Sequence, residues 1–227
     1  MPLTKDITFK CPECGEEIPL TLWQSVNTAE NPKEAEALAY GDLFYIQCPK
    51  CGYQTMANYS LLYHDVEHGM MIQYIATPDR EERAKEMAEY RKARKESIEA
   101  AKAQDPALAK QLYGSVFRFV TSLNDLREKA LILRAGLDDR YVELVKAYIM
   151  PQAANMKPDL GIESDGKQYL YFFDKDGKEA GSCDFDMESY NAFKNGLSLV
   201  EADTDIIDTG WAREVISEIE SQDTFQG

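Results

Sequence analysis

Two copies of one short cysteine turn constrain this chain more than any other feature. Residues 11–15 and 48–52 both have the pattern Cys-Pro-x-Cys-Gly, and together they hold four of the five cysteines. A tetrahedral zinc ion takes four ligands, with Zn–S bonds of about 2.3 Å, and a Cys-x-x-Cys turn presents two sulfurs from one tight bend. We therefore predict one structural Zn²⁺ per chain, with no coordination position left for water. Its four ligands are Cys11, Cys14, Cys48 and Cys51.

The residues around the cysteines favour metal binding over redox chemistry. Gly15 and Gly52 can take the positive φ that folds the chain under the sulfurs and aims backbone N–H groups at them. A dithiol oxidoreductase has a helix after its Cys-x-x-Cys turn, and that helix lowers the pKa of the attacking thiol. Here a strand-like run follows each turn, at residues 17–23 and 53–57. A redox site and an iron site are the alternatives to zinc.

The charge of the chain restricts its partners. Lys and Arg number 25 against 40 Asp and Glu, which gives a formal net charge of −15. A field of this sign repels phosphate backbones and anionic membranes, so we expect a protein partner rather than nucleic acid. The sequence shows no long apolar run and no basic-then-apolar leader, so we expect no membrane span and no signal peptide. Reduced cysteine pairs agree with a cytoplasmic location.

The order of predicted elements indicates an α+β protein in three segments. Residues 1–78 are predicted to form a zinc-ribbon-like antiparallel sheet domain, with a short helix inserted between Asn31 and Gly41. We expect the strand at residues 70–75 to join the same antiparallel sheet. Residues 79–157 are predicted to be a helical segment with a long charged helix and a helical hairpin. Residues 158–227 are predicted to be a small acidic α+β unit.

The helical segment begins with the long charged helix. Thr77 is expected to cap it, with Pro78 at its first position, and it runs to about Gln104. Because it has few large apolar residues, it either projects into solvent or pairs with a second copy of the chain. Residues 91–95, Arg-Lys-Ala-Arg-Lys, form its one concentrated basic cluster. A nucleic-acid-associated zinc ribbon is therefore one alternative function, although a solvated helix face is favoured.

The remaining sequence predicts a strand at residues 116–120 and helices bounded by Ser122, Gly136 and Asp138 or Asp139. Residues 153–158 are interpreted as a linker.

In the C-terminal unit, residues 174–177 read Asp-Lys-Asp-Gly between two strand-like runs and predict a hairpin turn. A calcium loop would need its glycine at the sixth position and a closing glutamate, so calcium is not expected. Cys183 lies on the return strand and is predicted to be a buried small side chain. Helices are expected near residues 188–194 and 211–220.

The two histidines lie four residues apart in the sequence Tyr-His-Asp-Val-Glu-His at 63–68. This stretch is interpreted as a loop, so structural roles are favoured and no catalytic residue is assigned. The enzyme alternative is a hydrolase in which His64 and Asp65 act with Ser25 or with a second metal. The possible functional surface has six members: Trp23, Ser25, Asn27, Tyr63, His64 and Asp65.

Several stretches beside the cysteine turns also follow a known pattern. These are Leu-Trp-Gln-Ser-Val-Asn at 22–27 with Glu-Asn-Pro at 30–32, and Leu-Leu-Tyr-His-Asp at 61–65 ahead of the Met71-Ile72 strand. With the two turns they resemble the CpXC domain family, a bacterial and archaeal set defined by its cysteine pairs. The resemblance covers about residues 5–150. It implies a zinc-ribbon-like module and no established activity, so we expect a non-catalytic interaction module.

Overall fold

The structure, a computed structural model, describes residues 3–107, 109, 116–149, 156–163, 166–197 and 204–224. The chain divides into two compact units, Met1–Arg127 and Glu128–Gly227. Helices occur together with antiparallel and mixed sheets, so the predicted α+β class is confirmed. The three-segment division at residues 78 and 157 stays a prediction.

The first unit holds small hairpins, a four-stranded sheet and two helices in the part that is described. In chain order its elements are β1 (Thr4–Lys10), β2 (Glu17–Trp23), β3 (Ser25–Asn27), α1 (Pro32–Tyr40), a 3₁₀ turn (Asp42–Phe44), β4 (Tyr45–Gln47), β5 (Gln54–Met56), β6 (Leu61–Asp65), β7 (Met70–Tyr74), α2 (Arg80–Gln104) and β8 (Val116–Val120). Helix α3 (Leu123–Arg134) begins in this unit and continues into the second.

Two antiparallel hairpins carry the cysteine turns. β1 pairs with β2, and β4 pairs with β5, in separate two-stranded sheets. Gly15 and Gly52 have φ values of 72° and 74°, and their N–H groups donate to the carbonyls of Cys11 and Cys48. Because a side chain is strained at such φ values, glycine closes both turns. Each cysteine pair therefore lies between two strands, as the sequence predicts.

The strand at residues 70–75 does not extend either hairpin, and that prediction is wrong. β7 lies inside a separate four-stranded mixed sheet with the order β3-β6-β7-β8. β6 and β7 are antiparallel, whereas β3 and β8 run parallel to their neighbours. Every residue of β7 is buried, as expected for a strand covered on both faces. Its apolar sequence indicates burial but does not indicate which sheet it joins.

The helix boundaries in the first unit are set by caps. Helix α1 ends at Gly41, which has a φ of 90°, and it has proline in its first turn, as predicted. For α2 the predicted cap is wrong, because Asp79 caps the helix instead of Thr77. The Asp79 carboxylate accepts hydrogen bonds from the N–H groups of Glu81 and Glu82 at 3.0 and 2.9 Å.

The second unit packs helices against a three-stranded antiparallel sheet with the order β11-β10-β9. After α3, its described elements are α4 (Asp139–Ile149), β9 (Lys157–Ile162), β10 (Gln168–Phe173), β11 (Glu179–Asp184), α5 (Met187–Gly196) and α6 (Thr209–Thr224). Its core includes Leu144 and Val145 of α4, Leu170 of β10 and Ala212 of α6, all fully buried.

Two predictions for the second unit are wrong and one is confirmed. Lys157 and Pro158 belong to β9 rather than to a linker. Of the other residues in the predicted linker, 153–155 lie outside the described residues, and Met156 directly precedes β9. Cys183 is exposed rather than buried, because β11 is an edge strand whose side chains are all exposed. The Asp174–Gly177 turn is present, and Gly177 has a φ of 75°.

No helix among the described residues combines the length and the apolarity that a membrane crossing requires.

Candidate metal centre

The two hairpin turns bring four cysteine sulfurs together. The Sγ atoms of Cys11 and Cys51 are 3.6 Å apart, and those of Cys14 and Cys48 are also 3.6 Å apart. All four sulfurs lie within 4.8 Å of one another. The cysteines of the first turn therefore meet those of the second, although 33 residues separate the inner pair.

The sulfur spacing fits a shared metal ion. An ion bonded tetrahedrally to four sulfurs at about 2.3 Å holds those sulfurs roughly 3.8 Å apart. A disulfide bond would place two of them at about 2.05 Å. All five cysteines of the chain are free. The four convergent thiols could thus hold a soft, four-coordinate ion with every ligand supplied by the protein.

The four cysteines are buried to different extents. Cys11 and Cys48 are 1% and 2% exposed, whereas Cys14 is half-buried and Cys51 is exposed. The buried pair packs with Ile18 in a small apolar cluster, against which Phe9, Leu20 and Tyr53 also pack. One side of the candidate centre is therefore covered by the hairpin strands, and the other side faces solvent.

Backbone N–H groups point at the sulfurs, as the glycine positions predict. The N–H of Cys51, and then that of Lys50, lower the pKa of Cys48 to about 7 in spite of burial. The N–H of Glu16 acts in the same direction on Cys14, but burial and the other three sulfurs outweigh it and raise the pKa of Cys14 to about 12. The thiols interact strongly, so a cation bound among them would favour the ionised form of all four.

An ion pair joins the two turns beside the sulfurs. Lys50 Nζ lies 3.1 Å from Glu16 Oε2, so a residue of the second turn is linked to one that follows the first. Glu16 raises the pKa of Lys50, and the Cys14 and Cys48 thiolates add to the effect. Lys50 thus keeps a positive charge next to a cluster that becomes strongly negative when its thiols ionise.

The chain matches the model of a protein family described as CpXC protein over residues 9–146. This match includes both cysteine turns and more than half of the chain. The chain belongs to the CpXC family. The resemblance drawn from the sequence is therefore confirmed. Among curated proteins and among solved structures, no match to this CpXC protein was found.

Two segments of the predicted functional surface of this CpXC protein lie side by side. β3 pairs in parallel with β6, so that Val26 is opposite Tyr63 and Asn27 is opposite His64. Because side chains alternate along a strand, Ser25, Asn27 and His64 share one face. All three of these residues are half-buried, and Trp23, at the end of β2, is half-buried as well.

The other two members of that surface point into the protein. Tyr63 is 0% exposed and Asp65 is 3% exposed, and strand alternation places both on the face opposite His64. The interpretation of residues 63–68 as a loop is wrong for His64 and Asp65, which belong to β6. Ser25, Asn27 and His64 therefore share a half-exposed face, which Tyr63 and Asp65 support from below.

The contacts of Ser25 and Asp65 do not assemble a Ser–His–Asp triad. The Ser25 hydroxyl accepts a hydrogen bond from the Leu3 N–H at 2.9 Å. The Asp65 carboxylate accepts one from the His68 N–H and lies 3.0 Å from His68 Nδ1. His64 Nε2 makes no hydrogen bond within the described part of the chain, and burial lowers the pKa of His64 against the effect of Asp65. The carboxylate thus orients His68 rather than His64.

The basic cluster at residues 91–95 packs partly on aromatic rings. The guanidinium carbon of Arg91 lies 4.9 Å from the centre of the Phe119 ring, and that of Arg94 lies 4.5 Å from the centre of Phe117. Tyr90 stacks on Phe117 at 5.7 Å. These cation–π contacts fasten α2 to β8, so the two arginines have a structural role in the fold.

The second unit contains a buried ionic cluster that the sequence analysis missed. Lys146 Nζ lies 2.8 and 2.9 Å from the carboxylate oxygens of Glu128 and 3.1 Å from Glu143. Lys129 Nζ lies 3.1 Å from Glu143 and 3.3 Å from Asp139. Each of these five side chains is at most 4% exposed. Glu128 also accepts the N–H of Leu160 on β9 at 2.6 Å. The cluster therefore ties α3 and α4 to the sheet.

The cluster has three carboxyl groups for two lysines, and its pKa shifts follow from that excess. Burial raises the pKa of Glu128 to about 7, although Lys146 acts in the opposite direction. Burial also raises the pKa of Glu143, but Lys129 and Lys146 outweigh it and lower that pKa overall. For Lys146, Glu128 and Glu143 outweigh burial and raise the pKa. The lysines thus stay charged, whereas burial makes Glu128 easier to protonate than an exposed glutamate.

Proposed function

We propose that this CpXC protein binds one structural Zn²⁺ through Cys11, Cys14, Cys48 and Cys51. The observation that carries the proposal is the convergence of four free sulfurs within 4.8 Å of one another, with 3.6 Å between the Sγ atoms of Cys11 and Cys51 and of Cys14 and Cys48. Zinc is favoured because it prefers tetrahedral thiolate sites and supplies folding energy to small sheets. Two two-stranded hairpins bury little apolar surface on their own, so an ion that joins them has a clear structural purpose. A cytoplasmic location, where thiols stay reduced, is part of the proposal.

Elemental analysis tests the metal directly. The full chain, purified without chelator and without added metal, is expected to hold one zinc per chain by inductively coupled plasma mass spectrometry. Iron in place of zinc would give visible thiolate-to-iron absorption and would overturn the choice of metal. A chain that contains neither metal nor an affinity for added zinc would overturn the site.

We further propose that the zinc-stabilised unit is a protein interaction module without catalytic activity. The face formed by Ser25, Asn27 and His64, with Trp23 at its edge, is the proposed contact surface. Support comes from the parallel pairing of β3 with β6, which places these half-exposed polar side chains on one rigid sheet. The excess of 40 acidic over 25 basic residues favours a basic protein surface as the partner.

A pair of matched variants tests the contact surface. His64→Ala is expected to abolish co-purification of a partner protein from cells while zinc content and circular dichroism stay unchanged. Tyr45→Ala, which alters an exposed aromatic residue in the second hairpin, is the control and should keep the partner. Light scattering on the purified chain shows whether that partner is a second copy. Equal capture by both variants would contradict the assignment of the surface.

A further inference from the structure

The proposed zinc centre is open to solvent on one side only. Cys51 is exposed and Cys14 is half-buried, whereas Cys11 and Cys48 are at most 2% exposed. A zinc site with a purely structural purpose is best protected from oxidants in solution when all four of its sulfurs are buried. Here each turn contributes one covered sulfur and one that is more accessible, so the two turns face solvent in the same way.

Exposure determines which sulfur a small oxidant reaches first. Metal-bound cysteines are thiolates, and a thiolate is the form of cysteine that reacts with peroxides. Lys50, which lies in the second turn and forms an ion pair with Glu16, adds a basic side chain beside these sulfurs. Cys51 follows Lys50 directly and is the most exposed of the four cysteines. It is therefore the sulfur that a peroxide in solution reaches most easily.

The structure also provides a second thiolate that can complete a disulfide bond with Cys51. Cys11 Sγ, from the other turn, lies 3.6 Å from Cys51 Sγ. A disulfide bond needs about 2.05 Å, so the two sulfurs have to approach by roughly 1.5 Å. The remaining pair, Cys14 and Cys48, has the same separation of 3.6 Å and also joins the two turns.

We propose, building on the proposed zinc centre, that the four-cysteine site is a peroxide-responsive switch in which Cys51 is oxidised first and then bonds to Cys11. The Cys51 thiolate attacks one oxygen of hydrogen peroxide, the O–O bond breaks, and hydroxide leaves a sulfenic acid behind. The Cys11 thiolate attacks that sulfur, the S–O bond breaks, and a second hydroxide leaves. Two electrons pass from the two sulfurs to the peroxide. The chain then retains two thiolates, too few to hold the ion.

A disulfide bond between Cys11 and Cys51 joins the two hairpins in place of the metal. Oxidation therefore releases zinc without separating the β1–β2 hairpin from the β4–β5 hairpin. A disulfide bond within one turn would leave the hairpins unconnected. The switch is reversible, because a thiol reductant restores the four ligands.

The first experiment determines the pairing. Zinc-loaded full-length protein in a Cys183→Ser background is treated with hydrogen peroxide, alkylated and digested with trypsin and a glutamate-specific protease. Cleavage after Lys10, Glu13, Glu16, Lys50 and Glu67 puts each remaining cysteine in its own peptide. The expected product joins residues 11–13 to residues 51–67. Disulfide bonds within the turns as the main product, from Cys11 to Cys14 or from Cys48 to Cys51, would overturn the proposal.

The second experiment measures which position controls zinc release. Cys51→His retains three cysteines and one histidine, a set that binds zinc. We expect peroxide-driven release, followed with a colorimetric zinc chelator, to be about tenfold slower for Cys51→His than for the wild type. Cys183→Ser, which changes the exposed cysteine outside the site, is the control and should release zinc at the wild-type rate. Release from Cys51→His as fast as from the wild type would contradict first attack at Cys51.

The outcomes separate this inference from the proposed function. If the wild-type protein holds no zinc before peroxide is added, the zinc centre itself is wrong, and the switch is wrong with it. If zinc is present and excess peroxide fails to release it, the switch alone is wrong and the structural centre stands.

Discussion

Each unit brings together a cluster of ionisable side chains, but the two clusters are neutralised in different ways. In the first unit four thiols converge, and in the second unit three carboxyl groups meet two lysines. In the proposed zinc centre a cation from outside the chain would balance the thiolates, whereas Lys129 and Lys146 balance the carboxylates. We therefore expect the first cluster to couple folding to metal supply. In the second cluster the chain itself supplies both the carboxyl groups and the lysines, so we expect the stability of that unit to depend on pH.

The largest expected effect is the loss of a buried thiol from the first cluster. Cys48→Ser should remove zinc and unfold both hairpins, because structural zinc binding contributes on the order of 10 kcal/mol to the folding of such sites. Hydrogen–deuterium exchange of β1, β2, β4 and β5 should rise to the rate of an unfolded peptide. Cys183→Ser, which changes the cysteine outside the site, is the control and should leave zinc and exchange unchanged. Normal protection of the hairpins in zinc-free Cys48→Ser would contradict this coupling.

The second unit should respond strongly to the loss of one lysine. Lys146→Met leaves Glu128 and Glu143 buried without their shared ammonium group, which should cost about 3–5 kcal/mol of unfolding free energy. Denaturant unfolding followed by hydrogen exchange of α4 measures the effect. Adding Glu128→Gln to the Lys146→Met variant should restore part of the stability, since it removes one uncompensated carboxylate. An effect of Lys146→Met no larger than that of the exposed Lys175→Met would show that the cluster contributes little.

The two clusters should also respond to pH in opposite directions. The pKa of Glu128 is raised from 4.5 to about 7, so its contribution is complete below about pH 4.5 and is lost as the pH rises through 7. The shift corresponds to about 3 kcal/mol of unfolding free energy for the second unit. Zinc binding changes the other way, because its thiols must lose protons. Melting of the second unit between pH 5 and 8 checks the sign, and Glu128→Gln should flatten the profile.

The smallest expected effect concerns the basic cluster on α2. Arg94→Ala removes the cation–π contact with Phe117 and should lower the stability of the first unit by about 1 kcal/mol. Lys95→Ala, at an exposed position on the same helix, should change it by less than about 0.5 kcal/mol. Thermal melts of the two variants at equal zinc content provide the comparison. Steeply salt-dependent DNA binding that both substitutions weaken equally would instead favour a nucleic-acid role for this helix.

The metal centre could be predicted from the sequence because both of its halves have the same short pattern, Cys-Pro-x-Cys-Gly. Two cysteines, a proline and a glycine within five residues fix the turn, and only the meeting of the turns is a long-range event. The ionic cluster offers no such pattern. Glu128 and Lys129 are neighbours on an amphipathic helix, and Glu143 and Lys146 are three residues apart on another. In sequence both pairs look like the charges of a solvated helix face.

The four-stranded sheet could be predicted only in part for a similar reason. The buried strand β7 was visible as an apolar run, but its neighbour β8 is more than forty residues away across a helix. Four of the five residues of β7 are apolar and only Gln73 is polar, so the strand shows no regular alternation and nothing local determines its partners or its sheet. Asp65 shows the converse case. Its charge suggested a surface residue, yet the pairing of β6 with β7 turns it inward, where it binds His68.

The parallel pairing of β7 with β8 has a consequence during synthesis on the ribosome. β7 ends at Tyr74 and its neighbour begins at Val116, so the inner edge of an entirely buried strand emerges well before its partner. At typical elongation rates that interval lasts about 2–8 s. An unpaired strand edge of this kind readily captures other nascent chains. This protein is therefore expected to engage chaperones early in translation, and slower elongation through the α2 codons should increase aggregation rather than relieve it.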